Sequence, residues 1–257
     1  MSEEKPILYL LLGAAGAGRR EVVADLIEGG LSAEDKSVVF LPANLAPNDI
    51  DSRLGTVVRW TAPDESTVAA AWPEGADVGF FIVDGRRDPV DQIEALKPWI
   101  EETGAELTRV ICVYHCELAA AHKPLLIWYD ACVYFSDIVL LNRRAGLANK
   151  WMSELRQRFD KQFMPCLVEM VKKGRVHNPA LVLDPLPRRM SHWFDEEEES
   201  WTNQIKEMED TIILEEGEEA VEEETEDEDL YLARLASGRR KRVIPDINDY
   251  LPAPQST

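Results

Sequence analysis

The stretch "LYLLLGAAGAGRREVVADLI", residues 8–27, decides the fold class. An apolar run leads into a bend made only of Gly and Ala, and a helical pattern starts at once behind it. An apolar run of this length, bounded by a turn signal, reads as a strand buried on both faces. Val22, Val23, Leu26 and Ile27 then share one helical face, and Gly29 with Gly30 supplies a stop. Strand, glycine bend and helix in immediate succession form the first unit of an α/β layer.

The rest of the body repeats the alternation. "SVVFLP", "TVVRW", "VGFFIVDG", "LTRVICVYH" and "DIVLLNRR" predict strands, and "NPALVLDP" predicts a last one. "STVAAAW", "DQIEALKPWIEETG", "LLIWYDACVYF" and "NKWMSELRQRFDKQF" predict helices, the second of them kinked or split at Pro98. The expected fold class is α/β: a mostly parallel sheet flanked by helices, with a disordered acidic C-terminal tail; the glycine bend, read below, makes it P-loop NTPase-like. No internal repeat is evident.

The bend itself fits most of the phosphate-binding pattern G-x-x-x-x-G-K-[ST]. Gly13 and Gly18 stand at the required spacing, Gly16 adds a third flexible point, and Ala17 keeps the loop small. Backbone N–H groups of such a loop converge on phosphate oxygens, helped by the positive end of the following helix. Arg19 and Arg20 stand where the pattern has Lys and Ser or Thr. A planar guanidinium is not a compact ammonium, and it has no lone pair to offer a cation. A glycine-alanine turn without a ligand is the plain alternative. Two later strand ends add to the pattern. "FFIVDG" ends in Asp84, where a carboxylate serving Mg²⁺ belongs, and "DIVLLNRRAG" ends in Asn142, where a purine-reading loop belongs. In open α/β sheets, ligands bind where the strands' carboxyl ends meet.

With these three segments in hand, residues 7–184 resemble the CobW/HypB/UreG class of P-loop GTPases and metallochaperones, most closely the CobW side. The resemblance implies binding of GTP or another purine nucleoside triphosphate, with Mg²⁺, nucleotide-dependent switching and a part in metal or cofactor handling. It assigns nucleotide binding to Gly13, Gly16, Ala17, Gly18, Arg19, Arg20, Asp84, Asn142 and Arg143, and Mg²⁺ to Asp84. A homodimer is a further implication. The chain departs from the family at the two arginines, at Arg143 in place of a Lys, and at Ala145 in place of the Asp that grips guanine. A family Cys-Cys metal motif is also missing. Binding that outlasts turnover is therefore expected, with hydrolysis weak or absent. The alternative is a pseudo-GTPase scaffold that binds no nucleotide, its arginines filling the site or pairing with local carboxylates. A third reading is an enzyme that clamps an anionic metabolite with the arginine pair.

Charge partitions the chain. Of its net −20, residues 195–229 hold 19 acids against one base, while residues 1–194 hold 27 acids against 22 bases. Residues 230–257 carry five bases against two acids, most of them in "GRRKR". The expected organisation is a nucleotide-binding-like domain over 1–194, an acidic disordered segment over 195–229 and a basic, proline-containing segment over 230–257. Either terminal segment offers a surface to a protein partner. Acidity of this degree disfavours nucleic acid. No apolar run approaches the length of a membrane helix, and the acidic N-terminus lacks a signal core, so a cytoplasmic setting with reduced cysteines is expected. "CVYHC" offers Cys112, His115 and Cys116 as the one close N/S cluster; buried free cysteines are the plainer reading. Asp49 and Asp51 sit in a turn or a switch-like loop, and Arg188 with Arg189 on a solvated edge.

Overall fold

The computed structural model describes residues 5–64, 66–195 and 229–253. Among these, eight strands form one sheet in the order β3-β2-β4-β1-β5-β6-β7-β8. The strands are β1 (Ile7–Leu12), β2 (Ser37–Pro42), β3 (Thr56–Trp60), β4 (Val78–Ile82), β5 (Glu106–His115), β6 (Ile138–Asn142), β7 (Leu167–Lys172) and β8 (Arg175–Val176). All neighbours pair in parallel except β7 and β8, which form an antiparallel hairpin. The helices are α1 (Arg19–Gly30), α2 (Pro89–Thr103), α3 (Cys116–Ala121), α4 (Leu125–Tyr134), α5 (Asn149–Lys161) and α6 (Pro179–Leu183). This is the mostly parallel sheet flanked by helices that the alternating pattern predicts.

Period-two alternation sorts the central strands between two cores. Tyr9, Leu11, Phe80, Ile82, Ile111 and Val113 face one way and pack with Val22, Val23 and Leu26 of α1 and with α6. Phe40 and Phe81 face the other way and meet Trp72 and Trp99, with ring centroids 5.1–5.7 Å apart. The β1–β4 pairing matters for function, because it puts the strand before the glycine bend directly beside the strand that leads to Asp84.

Some local expectations change. Residues 66–72 are not a helix. Thr61 and Ala69 exchange both backbone hydrogen bonds, and the Trp72 ring lies so close over Gly79 that a Cβ there would stand 2.4 Å from it. A seven-residue helix is marginal by itself, and burial of the Trp72 ring decides the outcome. "NPALVLDP" is not a strand either: Asn178 caps α6 by accepting from the Leu181 N–H, and Pro179 takes the first helical position. Leu183 of α6 lies where a Cβ on Gly30 would be 2.6 Å away, so the glycine pair is the contact for α6 and remains inside α1. Of the kink or split expected at Pro98, the split is absent: α2 runs from Pro89 to Thr103 with Pro98 inside it.

By internal contacts, residues up to Met190 together with those from Val243 onward form one unit, and Ser191–Arg242 forms another. In the second, Ser191 donates to Asp229 at 2.6 Å, and the Arg242 guanidinium covers the Tyr231 ring at 4.8 Å. The acidic segment expected over 195–229, with its charge runs, falls outside the described residues except at its two ends. No helix among the described residues is long and apolar enough to cross a membrane.

Candidate functional site

The glycine bend, residues 13–18, lies at the carboxyl end of β1 between two other loops. Gly13 has φ +127°, and a Cβ on it would stand 2.3 Å from the Val113 carbonyl oxygen of β5. Gly18, at φ +90°, starts α1 and offers no side chain to cap it. The backbone N–H groups of the first turn of α1 therefore have no side-chain cap, and an uncapped helix start is the end that attracts an anion.

On one flank stands the loop after β6. The Asn142 amide donates to the Ala17 carbonyl at 2.8 Å, and Arg143 donates to the Gly16 carbonyl at 3.1 Å and to Glu21 at 2.9 Å. A Cβ on Gly18 would meet the Asn142 amide nitrogen at 2.5 Å. Gly16, Ala17, Gly18, Asn142 and Arg143, distant in sequence, are thus in mutual contact. Beside them opens a cleft of about 640 Å³, lined by Glu21, Glu117, Asn142, Arg143, Arg144, Ala145 and residues 171–174.

The other flank is filled. The Ala15 N–H donates to the Gly85 carbonyl at 3.0 Å, and the Ala17 N–H to Ala14 at 3.2 Å. Gly85 is pressed so closely on the bend that a Cβ would lie 2.3 Å from Ala15 N and 2.4 Å from the Arg19 guanidinium. Arg19 is buried and donates to the Val83 carbonyl. Burial pulls its pKa down to about 10, with Asp84 opposing the fall, so it stays a cation at neutral pH. Arg20 binds Asp51 at 2.7 Å and the Ala46 carbonyl at 2.7 Å. Asp51 belongs to the short turn Asp49–Arg53 and also takes Arg59 at 3.3 Å.

Asp84 sits beyond this packing. Its carboxylate accepts from the Asn44 amide at 2.9 Å and from the Arg86 N–H at 3.0 Å, while Gln92 holds its backbone on both sides. A separate cleft of about 380 Å³ runs past Asn44, Trp60, Thr61, Asp84 and Arg87. Mg²⁺ wants six oxygens at short range and no competing cation. One carboxylate already holding two donors, with guanidinium groups at 19 and 20, does not make a magnesium site from protein atoms. No group of three or more His, Cys, Asp or Glu among the described residues is placed to hold a metal ion. His115 closes β5 and accepts from the Leu118 N–H to cap α3, and the Cys116 thiol is buried, pushed up to about 12 by desolvation. Burial likewise raises Cys132 and takes Cys166 to about 12.

Other residues were not singled out by the sequence reading. Gly85 closes the filled flank, and Arg86 is held from behind by the segment near the C-terminus: Asn248 donates to the Arg86 carbonyl at 2.8 Å and accepts from its guanidinium at 3.3 Å. Lys172 and Lys173 come from the β7–β8 hairpin "VKKGRV", whose glycine between apolar flanks was a readable turn signal. Arg189 is not on a solvated edge; its side chain is buried against Asp137 at 3.3 Å.

Neither a family model nor a curated protein matches the sequence. Among solved structures, the chain is similar to a Zn(II)-bound triple mutant of the YjiA GTPase, at 15% identity and a TM-score of 0.40, over 72% of this chain and 67% of that one. It is similar over the same shares to the Zn(II)-bound YjiA GTPase from E. coli, at 14% identity and a TM-score of 0.44. Cell division protein FtsY from Thermotoga maritima aligns at 13% identity and a TM-score of 0.43, over 76% of this chain and 70% of that one.

Proposed function

We propose that the chain is a P-loop protein that binds a purine nucleotide and does not turn it over. The observation that carries this reading is the pair of hydrogen bonds from Asn142 to Ala17 and from Arg143 to Gly16, beside which the 640 Å³ cleft adjoins the uncapped end of α1. Phosphates at the N–H groups of Gly16, Gly18 and the first turn of α1, with the Ala17 N–H turned to Ala14, leave the base to the cleft. Ala145 brings no carboxylate to guanine's N–H edge, so guanine and adenine are poorly distinguished.

Catalysis of phosphoryl transfer rests on positioning and on neutralising charge at the terminal phosphate. Here the corner where that phosphate would lie holds Gly85, and the cations at 19 and 20 are engaged with Val83 and Asp51. A 5′-diphosphate fits such a site better than a triphosphate, and its binding does not depend on Mg²⁺. The metal or cofactor handling implied by the resemblance finds no donor cluster among the described residues and is not part of this reading.

A second reading is favoured by one observation: the Ala15 and Ala17 N–H groups already have acceptors. That is the pseudo-GTPase scaffold, which binds no nucleotide and works through the acidic segment or the basic stretch near the C-terminus. Calorimetric titration of the full chain with GDP, ADP and their triphosphates, with and without Mg²⁺, separates the two. The nucleotide reading expects diphosphate binding in EDTA, lost in Gly18→Val, whose side chain would strike Asn142. Silence from all four nucleotides at millimolar concentration selects the scaffold.

A further inference from the structure

The cleft beside α1 holds more positive charge than a base needs. Four cations line it, Arg143, Arg144, Lys172 and Lys173, against two carboxylates, Glu21 and Glu117. Arg143 and Glu21 are consumed by each other at 2.9 Å. Among the described residues no ion pair reaches Arg144, Lys172 or Lys173; the Arg144 guanidinium donates once, to the Val171 carbonyl at 3.4 Å, and its Nε is buried without a hydrogen-bond partner. In a chain whose net charge is −20, three cations facing one carboxylate make a local exception. Lys173 is also held at φ +53°, a conformation that L side chains rarely adopt, at the tip of the hairpin.

We propose that this cleft reads a second phosphoryl group, carried on the ribose 2′ or 3′ oxygen of a purine nucleotide, with Lys172, Lys173 and Arg144 as its recognising groups. The inference rests on the nucleotide reading above and names the ligand class for the same site. A third phosphate on the 5′ chain would meet Gly85 on the filled flank. A phosphate on the sugar instead faces the flank where cations are unpaired. Lysine and arginine bind phosphate through charge-assisted hydrogen bonds, so the pairing is chemically complementary.

The test uses ligands of equal phosphate number. The full chain in EDTA is titrated with guanosine 5′-diphosphate, guanosine 3′,5′-bisphosphate and guanosine 2′,5′-bisphosphate, and the adenosine set follows. One bisphosphate isomer is expected to bind about tenfold more tightly than the 5′-diphosphate at low salt, with a steeper loss on adding salt. Which isomer wins identifies the sugar oxygen. In the K172Q/K173N variant, whose Asn tolerates a left-handed backbone, bisphosphate affinity should fall by about tenfold more than diphosphate affinity. Equal binding of the three ligands overturns this inference and leaves the nucleotide reading standing. A preference that survives in K172Q/K173N overturns the residue assignment, and absence of binding by every ligand overturns both readings.

Discussion

The two flanks of the glycine bend have opposite characters. Toward Asn142 the bend is contacted at its carbonyls by side chains, and an open cleft follows. Toward Gly85 the Ala15 N–H is taken by the Gly85 carbonyl, the Ala17 N–H turns back to Ala14 within the bend, and the Arg19 guanidinium lies against Gly85. Phosphate recognition uses N–H groups and base recognition uses the neighbouring cleft. On the nucleotide reading proposed above, the contrast divides the site by chemistry: the cleft flank is left for a sugar and base, and the Gly85 flank is closed to a terminal phosphate.

The largest expected effect comes from adding one carbon on each side. Gly85→Ala puts a Cβ 2.3 Å from Ala15 N and 2.6 Å from Ala14 C, backbone atoms that cannot swing aside. We expect a loss of about 3 kcal/mol, the upper part of the range for overpacking. Gly146→Ala, on the open flank at φ +77° with nothing within 4 Å, bears only the backbone term, about 1 kcal/mol. Urea midpoints of the two variants measure the difference. Equal costs would mean that the filled flank is not tightly packed.

If the proposed reading holds and the site takes a diphosphate in preference to a triphosphate, putting Lys and Thr at positions 19 and 20 asks which element makes that preference. Arg19→Lys with Arg20→Thr supplies a compact ammonium and a hydroxyl that can ligate a cation. It also releases Asp51 and the Val83 carbonyl. Triphosphate affinity is expected to rise about tenfold, equivalent to ~1.4 kcal/mol, and to become Mg²⁺-dependent. No gain in the titration would assign the exclusion to Gly85 alone.

Much of this contrast was legible before the fold was known, but unevenly. The strand, bend and helix of residues 8–27 are local patterns, and buried strands ending in Asp84 and Asn142 announce themselves by composition. The arginine substitutions were readable as chemistry, but not where each guanidinium goes. Arg19 turns to Val83 and Arg20 to Asp51, 64 and 31 residues away, and that choice is made by packing. Gly85 looked like an ordinary residue after a strand because its contact with Ala15 exists only once β1 and β4 pair. The misread "STVAAAW" has the same cause: helix propensity is local, whereas the slot for Trp72 over Gly79 is tertiary.

A weaker intervention reaches the filled flank from behind. Asn248→Ala removes two contacts with Arg86, one accepted and one donated, both exposed. The expected cost is about 1 kcal/mol, read as faster amide exchange at 85–87 with little change at 142–146. Equal acceleration on both flanks would show that the segment near residue 248 supports the whole body and not this side.

The smallest effect concerns His115, which lies under the bend, its ring 3.8 Å from where a Cβ on Gly16 would be. Desolvation lowers its pKa from the ordinary 6.5, helped by Arg143 and opposed by Glu117. The neutral ring accepts from the Leu118 N–H through Nδ1 at 3.3 Å, which a protonated ring cannot do. Because the folded state holds the proton less tightly than the unfolded chain, the unfolded chain binds more protons at mildly acid pH. His115 therefore contributes its stability in full above about 6.5 and loses it as pH falls through the lowered folded value. His115→Asn keeps an acceptor able to cap α3 and removes the titration. Its unfolding free energy should change less between pH 7 and pH 5 than that of the parent chain, and parallel pH profiles would rule out a protonation step beneath the bend.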